Sequence, residues 1–123
     1  MAKKILIVED EMSMQRALKN KLEQDGYDVM TASDGQQALD AVRASSPDLV
    51  LLDLIMPKLD GISVLREMKK DAALRNVPVV ILTNLSTGDK VAEAMQLGTF
   101  DFLVKANYSL DDVLRKVKER VGG

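Results

Sequence analysis

Three uninterrupted runs of branched apolar residues constrain this chain more than anything else in it: Ile5-Leu6-Ile7-Val8, Leu49-Val50-Leu51-Leu52 and Val79-Val80-Ile81-Leu82. Each is short, and none shows the polar alternation of a strand with one wet face. Such runs suit strands covered on both faces, as in a parallel sheet with helices above and below it. Two other segments do alternate. Tyr27-Asp28-Val29-Met30-Thr31 interleaves polar with apolar residues, and Phe100, Phe102 and Val104 fall on one parity. Alternation fits less completely covered strands, so these two belong at the sheet edges.

Helical patterns fill the intervals. Met14, Leu18 and Leu22 recur every four residues, and Gly26 stands where a C-terminal cap is needed. Ser33 with Gln36 reads as a capping box before the apolar face of Ala38, Leu39 and Val42. Ile62, Leu65 and Met68 mark a third helix, and Val91, Ala94 and Met95 a fourth that Gly98 stops. Leu110, Val113, Leu114, Val117 and Val121 form a fifth, with Ser109 as its cap. Right-handed crossovers between five β/α units, with the three apolar strands central, leave the order 2-1-3-4-5. The expected fold is therefore α/β: a doubly wound, flavodoxin-like parallel sheet of five strands flanked by five helices. With 123 residues and no linker or repeat, residues 1–123 read as one domain.

Composition removes several kinds of chemistry. There is no cysteine, hence no disulfide or thiol function, and no histidine, hence no imidazole base and no phosphohistidine. Any metal must sit on oxygen ligands, which favours hard cations such as Mg²⁺. The 17 basic and 19 acidic residues give no basic field for nucleic acid. No apolar stretch approaches the ~20 residues of a membrane span, and the start does not resemble a secretory signal. The expectation is a soluble cytoplasmic domain.

The residues that follow the strands carry the chemistry. Glu9, Asp10 and Glu11 follow the first, Asp53 the third, Thr83 the fourth and Lys105 the fifth. Taken singly, each is an ordinary solvated loop residue. Together they converge on the crevice at the carboxyl ends of the strands, next to the switch point between strands 1 and 3. Glu9, Asp10 and Asp53 would crowd three carboxylates. At ~4 Å and an effective dielectric near 20, each like-charged pair costs on the order of 4 kcal/mol. Mg²⁺ offsets that repulsion, and Lys105 and Thr83 add a mobile cation and a hydroxyl. A carboxylate nucleophile in such company is suited to receiving a phosphoryl group.

At this point the residues resemble a known family. Glu9-Asp10, Asp53 followed by Met56-Pro57 and Asp60-Gly61, Thr83, and Lys105 resemble the receiver domains of bacterial response regulators, of the chemotaxis-receiver kind, along the whole chain. The resemblance implies that Asp53 takes a phosphoryl group from a sensor histidine kinase or a histidine phosphotransfer protein. It implies Mg²⁺ bound by Asp10 and Asp53, by Glu9 largely through water, and by the backbone carbonyl of Ile55. Lys105 would bind the acyl phosphate and Thr83 would hydrogen-bond it. Such a protein is not a conventional enzyme; it catalyses its own phosphorylation and dephosphorylation.

The resemblance also implies a switch. Thr83 turns toward the phosphate and the strand-5 aromatic, here Phe102, moves inward, although from pattern alone Phe102 is equally a core-packing residue. The altered surface is the fourth helix, fifth strand and fifth helix, where a downstream target protein would dock. The domain would act alone, as a monomer able to dimerise on phosphorylation. Phe102 stands where tyrosine is common, and Lys105-Ala106 replaces the usual lysine and cis-proline. A cis bond before a non-proline costs ~2.5–4 kcal/mol, so that loop is either trans and rearranged or strained. Asn84 is bulkier than the usual small residue, and apolar Ile55 and Leu85 flank the pocket, which suggests slow hydrolysis.

Two other functions suit these residues less well. A flavin binder of the same order needs a phosphate-cradling loop after strand 1, where Glu9-Asp10-Glu11 would repel phosphate. An aspartyl phosphatase usually carries Asp-x-Asp at the strand end, and position 55 is isoleucine. Asp71, Asp111 and Asp112 read as helix-end or surface charges, with Asp111 and Arg115 as a minor helix pair.

Overall fold

The computed structural model describes residues 2–54, 60–83, 88–98, 101–104 and 109–122. The strands are β1 (Lys4–Val8), β2 (Asp28–Ala32), β3 (Leu49–Asp53), β4 (Val79–Thr83) and β5 (Asp101–Val104). The helices are α1 (Met12–Gln24), α2 (Gly35–Ser45), α3 (Gly61–Lys70), α4 (Gly88–Gln96) and α5 (Leu110–Val121). All four strand pairings are parallel, in the order β2-β1-β3-β4-β5. This is the expected doubly wound sheet.

The apolar runs do what their composition requires. Ile5 to Val8, Leu49 to Leu52 and Val80 to Leu82 are fully buried. Their alternate residues feed two separate cores. Leu6, Val8, Val50, Leu52 and Ile81 pack with α2 and α3 through Leu39, Val42, Ile62, Leu65 and Met68. Ile5, Ile7, Leu49, Leu51, Val80 and Leu82 pack on the other face with Leu18 and Leu22 of α1 and Val113 and Val117 of α5. Truncating one of these leucines to alanine would cost about 2–5 kcal/mol, since each serves a closed core. The edge strands are more open: in β2, Asp28 and Thr31 are exposed while Val29 and Ala32 are buried.

Several local expectations hold. Gly26 follows the end of α1 at φ 94°, a conformation that costs glycine little. Ser109 caps α5 in a full capping box: its hydroxyl accepts from the Asp112 N–H and the Asp112 carboxylate accepts from the Ser109 N–H. Other expectations need correction. The α2 cap is Asp34, whose carboxylate accepts from the Gln37 N–H at 2.9 Å, so the predicted Ser33–Gln36 box is displaced by one residue. Ser33 instead donates its N–H to the Gln37 side chain. Arg115 is only a weak electrostatic neighbour of Asp111, as a minor pair would be, and the direct ion pair of Asp111 lies elsewhere. Asp111 binds Lys21 of α1 at 2.6 Å, and Arg115 binds Asp112 at 3.2 Å. Met95 is exposed, and among the described side chains of α4 Ala94 is the buried one, with Val91 packed beside the core.

Candidate functional site

The carboxyl ends of β1 and β3 lie side by side, with Val8 opposite Leu52. Glu9 and Asp10 leave β1 just beyond that register, and Asp53 closes β3. Glu9 is fully buried, Asp53 is buried and Asp10 is exposed. Each offers a carboxylate oxygen, and the three oxygens lie within 4.8 Å of one another. The sequence-predicted acidic cluster is therefore assembled, with two of its members withdrawn from bulk water. Burial sharpens the physical problem, because carboxylates in a low-dielectric setting repel more strongly and lose solvation. A donor set made wholly of oxygens, on two adjacent strand ends and open to solvent through Asp10, fits a hard divalent cation.

Neighbouring elements hold the cluster. The Glu9 N–H donates to the Ala32 carbonyl at the end of β2 at 3.0 Å. Below Asp53, the Gly61 N–H donates to the Leu54 carbonyl at 3.0 Å. Asp60 caps α3 by accepting the Ser63 N–H at 2.9 Å. The predicted Asp60-Gly61 motif thus starts a helix directly against the backbone at the end of β3.

Thr83 is the last residue of β4. Asp53 pairs with Leu82 and Thr83 pairs with Val104, so Thr83 reaches the same sheet edge as Asp53. Phe102 pairs with Ile81, and its side chain is 38% exposed. Ile55 and Lys105 lie outside the described residues, as do Met56, Pro57, Asn84, Leu85, Phe100 and Ala106. The structure also brings in a residue that sequence reasoning missed. Gln15 of α1 is buried, and its side-chain amide donates to the Glu9 carbonyl at 2.9 Å. The signal was present: Gln15, Leu18 and Leu22 share i, i+3, i+7 spacing, so a polar residue stands on the buried stripe.

A flavodoxin-like α/β domain with an oxygen-donor cation cluster at its switch point is the class that fold and site define. The comparisons with known proteins narrow it. Residues 5–118 match the response regulator receiver domain model, and the chain belongs to that family. It is 41% identical over 120 residues to the probable transcriptional regulator ycf27 of Porphyridium aerugineum, covering 96% of this chain and 49% of that protein. The Francisella response regulator 1452 receiver domain superposes with a TM-score of 0.86 at 32% identity, covering 98% of this chain and 97% of that one. The receiver domain of the sensor histidine kinase PA1611 from Pseudomonas aeruginosa PAO1 gives 0.88 at 29% identity, with all of both chains covered. That structure is described with a magnesium ion coordinated in its active-site cleft. The chain spans about half the length, or less, of the curated relatives it matches. Among the described residues no helix is long and apolar enough to cross a membrane.

Proposed function

We propose that this receiver domain is a magnesium-dependent phosphoacceptor and that Asp53 is the acceptor. The observation that carries the proposal is the meeting of Glu9, Asp10 and Asp53 within 4.8 Å at one strand edge, with Asp53 buried at the end of β3. An Asp53 carboxylate oxygen attacks the phosphorus of a phosphohistidine on a sensor histidine kinase or histidine phosphotransfer protein. The P–N bond breaks with its electron pair going to the imidazole, and an acyl phosphate forms. The donor imidazole must come from another chain, since this one has no histidine.

Mg²⁺ would supply charge neutralisation between the acidic cluster and the incoming phosphoryl oxygens. By the family resemblance Asp10 and Asp53 would hold it directly, Glu9 largely through water, and the Ile55 carbonyl would complete the protein ligands. Lys105 binds the acyl phosphate and Thr83 donates its hydroxyl to it; the roles of Ile55 and Lys105 rest on the family resemblance. The new phosphate adds about −1.5 to −2 charges and three acceptor oxygens. Thr83 and Phe102 transmit it to the α4–β5–α5 face, where a downstream protein docks. The partial exposure of Phe102 supports this, because a ring with part of its surface in water gains apolar burial by turning inward.

The domain's only chemistry in this reading is its own phosphorylation and hydrolysis, in the cytoplasm, as a monomer able to dimerise when phosphorylated. Action as a separate unit draws support from a solved chemotaxis protein of Vibrio cholerae matched over 98% of this chain and 99% of that one. The longer curated relatives stand against it, and the mass of the native gene product decides. The central test is acetyl phosphate with Mg²⁺ followed by intact mass. One phosphoryl group should be added to the wild type and none to Asp53→Asn; labelling retained in the variant would sink the assignment.

A further inference from the structure

Gln15 is one of four buried polar or charged side chains among the described residues, and it lies one helical turn inside α1. Its carboxamide nitrogen has two hydrogens and faces three acceptors: the Glu9 carbonyl at 2.9 Å, the Ala32 carbonyl at 3.3 Å and the Ser33 hydroxyl at 3.3 Å. Ala32 also accepts the Glu9 N–H. Both backbone polar groups of Glu9 are therefore tied down, the N–H by β2 and the carbonyl by Gln15. That carbonyl belongs to the peptide joining Glu9 to Asp10. Its plane sets the direction from which the two side chains leave the chain.

We propose that Gln15 is a positioning residue for the acidic pocket, clamping the Glu9–Asp10 peptide so that both carboxylates reach toward Asp53. An apolar residue of the same length would fill the space but free the peptide to rotate. The pocket would then hold its cation on two ligands whose directions fluctuate. Metal ligands commonly need such outer contacts, and losing one weakens metal affinity about 10–100-fold. The inference rests on the magnesium-dependent reading above and adds to it the group that orients two of the ligands.

The test compares wild type, Gln15→Met and Val117→Ala by Mg²⁺ calorimetry and by amide hydrogen exchange of the metal-free proteins. Val117 is fully buried against α5's side of the sheet and controls for a general loss of stability. Gln15→Met should weaken Mg²⁺ binding about tenfold or more and speed exchange of the Glu9 N–H, whose bond to the Ala32 carbonyl Gln15 braces, whereas Val117→Ala should keep the wild-type affinity. Wild-type affinity and wild-type Glu9 exchange in Gln15→Met overturn the proposal while leaving the phosphoacceptor reading intact. A wild type that binds no Mg²⁺ overturns both. Should Gln15→Met not fold, the wild type decides by NMR: the Gln15 side-chain amide protons should exchange slowly and shift on adding Mg²⁺. Free exchange with no shift overturns the proposal.

Discussion

Gly61 presses its α-carbon against the backbone of Asp53: a methyl group built there would run into the Asp53 carbonyl oxygen and stand 2.6 Å from the Leu54 α-carbon. The atoms it would meet are backbone, so no rotamer change relieves the clash. Gly61→Ala should therefore displace the end of β3 and the first turn of α3 together. Overpacking of this kind costs about 1–3 kcal/mol. The expected outcome is a lower melting temperature and slower labelling of Asp53 by acetyl phosphate. Wild-type values for both would show that the contact relaxes without moving Asp53.

The acidic cluster makes a paired prediction. Asp10→Asn removes one of three crowded charges, so the metal-free protein should gain stability, on the order of 0.5 kcal/mol because Asp10 is exposed and screened. Saturating Mg²⁺ should stabilise the wild type by about 2.7 kcal/mol at a hundredfold excess over Kd, and the variant by less. Thermal melts with and without millimolar Mg²⁺ check both halves. A destabilised metal-free variant would show that repulsion is not what the ion relieves.

The capping box of α5 predicts an acid-side weakness. Hydrogen bonding to the Ser109 N–H holds the Asp112 carboxyl below its ordinary value of 3.8, and the Lys21 ammonium does the same for Asp111. For a lowered carboxyl, the stabilising contribution is fully present above the ordinary value and is lost as pH falls through the lowered one. Asp112→Asn should therefore reduce stability at neutral pH and shrink the loss between neutral and strongly acid solution. Ser109→Ala, which removes the other half of the box, should cost about 1 kcal/mol. Urea titrations across that pH range measure both.

Tyr27 predicts the opposite end of the scale. Its hydroxyl is buried with no hydrogen-bond partner among the described residues, and burial, aided by Asp25, raises its pKa above 10.0. A raised value means that the protonated phenol is favoured in the fold, so its contribution is present below 10.0 and lost as pH rises through the folded value. Tyr27→Phe should gain up to about 1 kcal/mol at neutral pH by removing a hydroxyl that lost water without gaining a partner among the described residues. It should also flatten the alkaline limb of the stability curve, as read by melts above pH 9–11.

The sheet was legible in the sequence because strand burial is written locally. Ile5–Val8, Leu49–Leu52 and Val79–Leu82 could only be central strands, and the order then followed from handedness. The acidic cluster was legible for the same reason, since Glu9, Asp10 and Asp53 each follow such a run directly. The α2 cap slipped by a residue because Ser33 and Asp34 are both good caps, and choosing between them depends on where β2 ends. The main partner of Asp111 is Lys21, with Arg115 secondary, because α1 and α5 pack together, a fact that no spacing within α5 contains.

What the sequence determined by itself was the alternation of elements and the kind of group delivered to the carboxyl edge, both properties of short stretches of chain. Only the tertiary structure decided that Gln15 turns inward to the Glu9 carbonyl and that Gly61 touches Asp53. Those contacts join segments distant along the chain, and their distances are set by how helices seat on the sheet. Periodicity states which face of a helix is buried. It does not state which atom that face will meet.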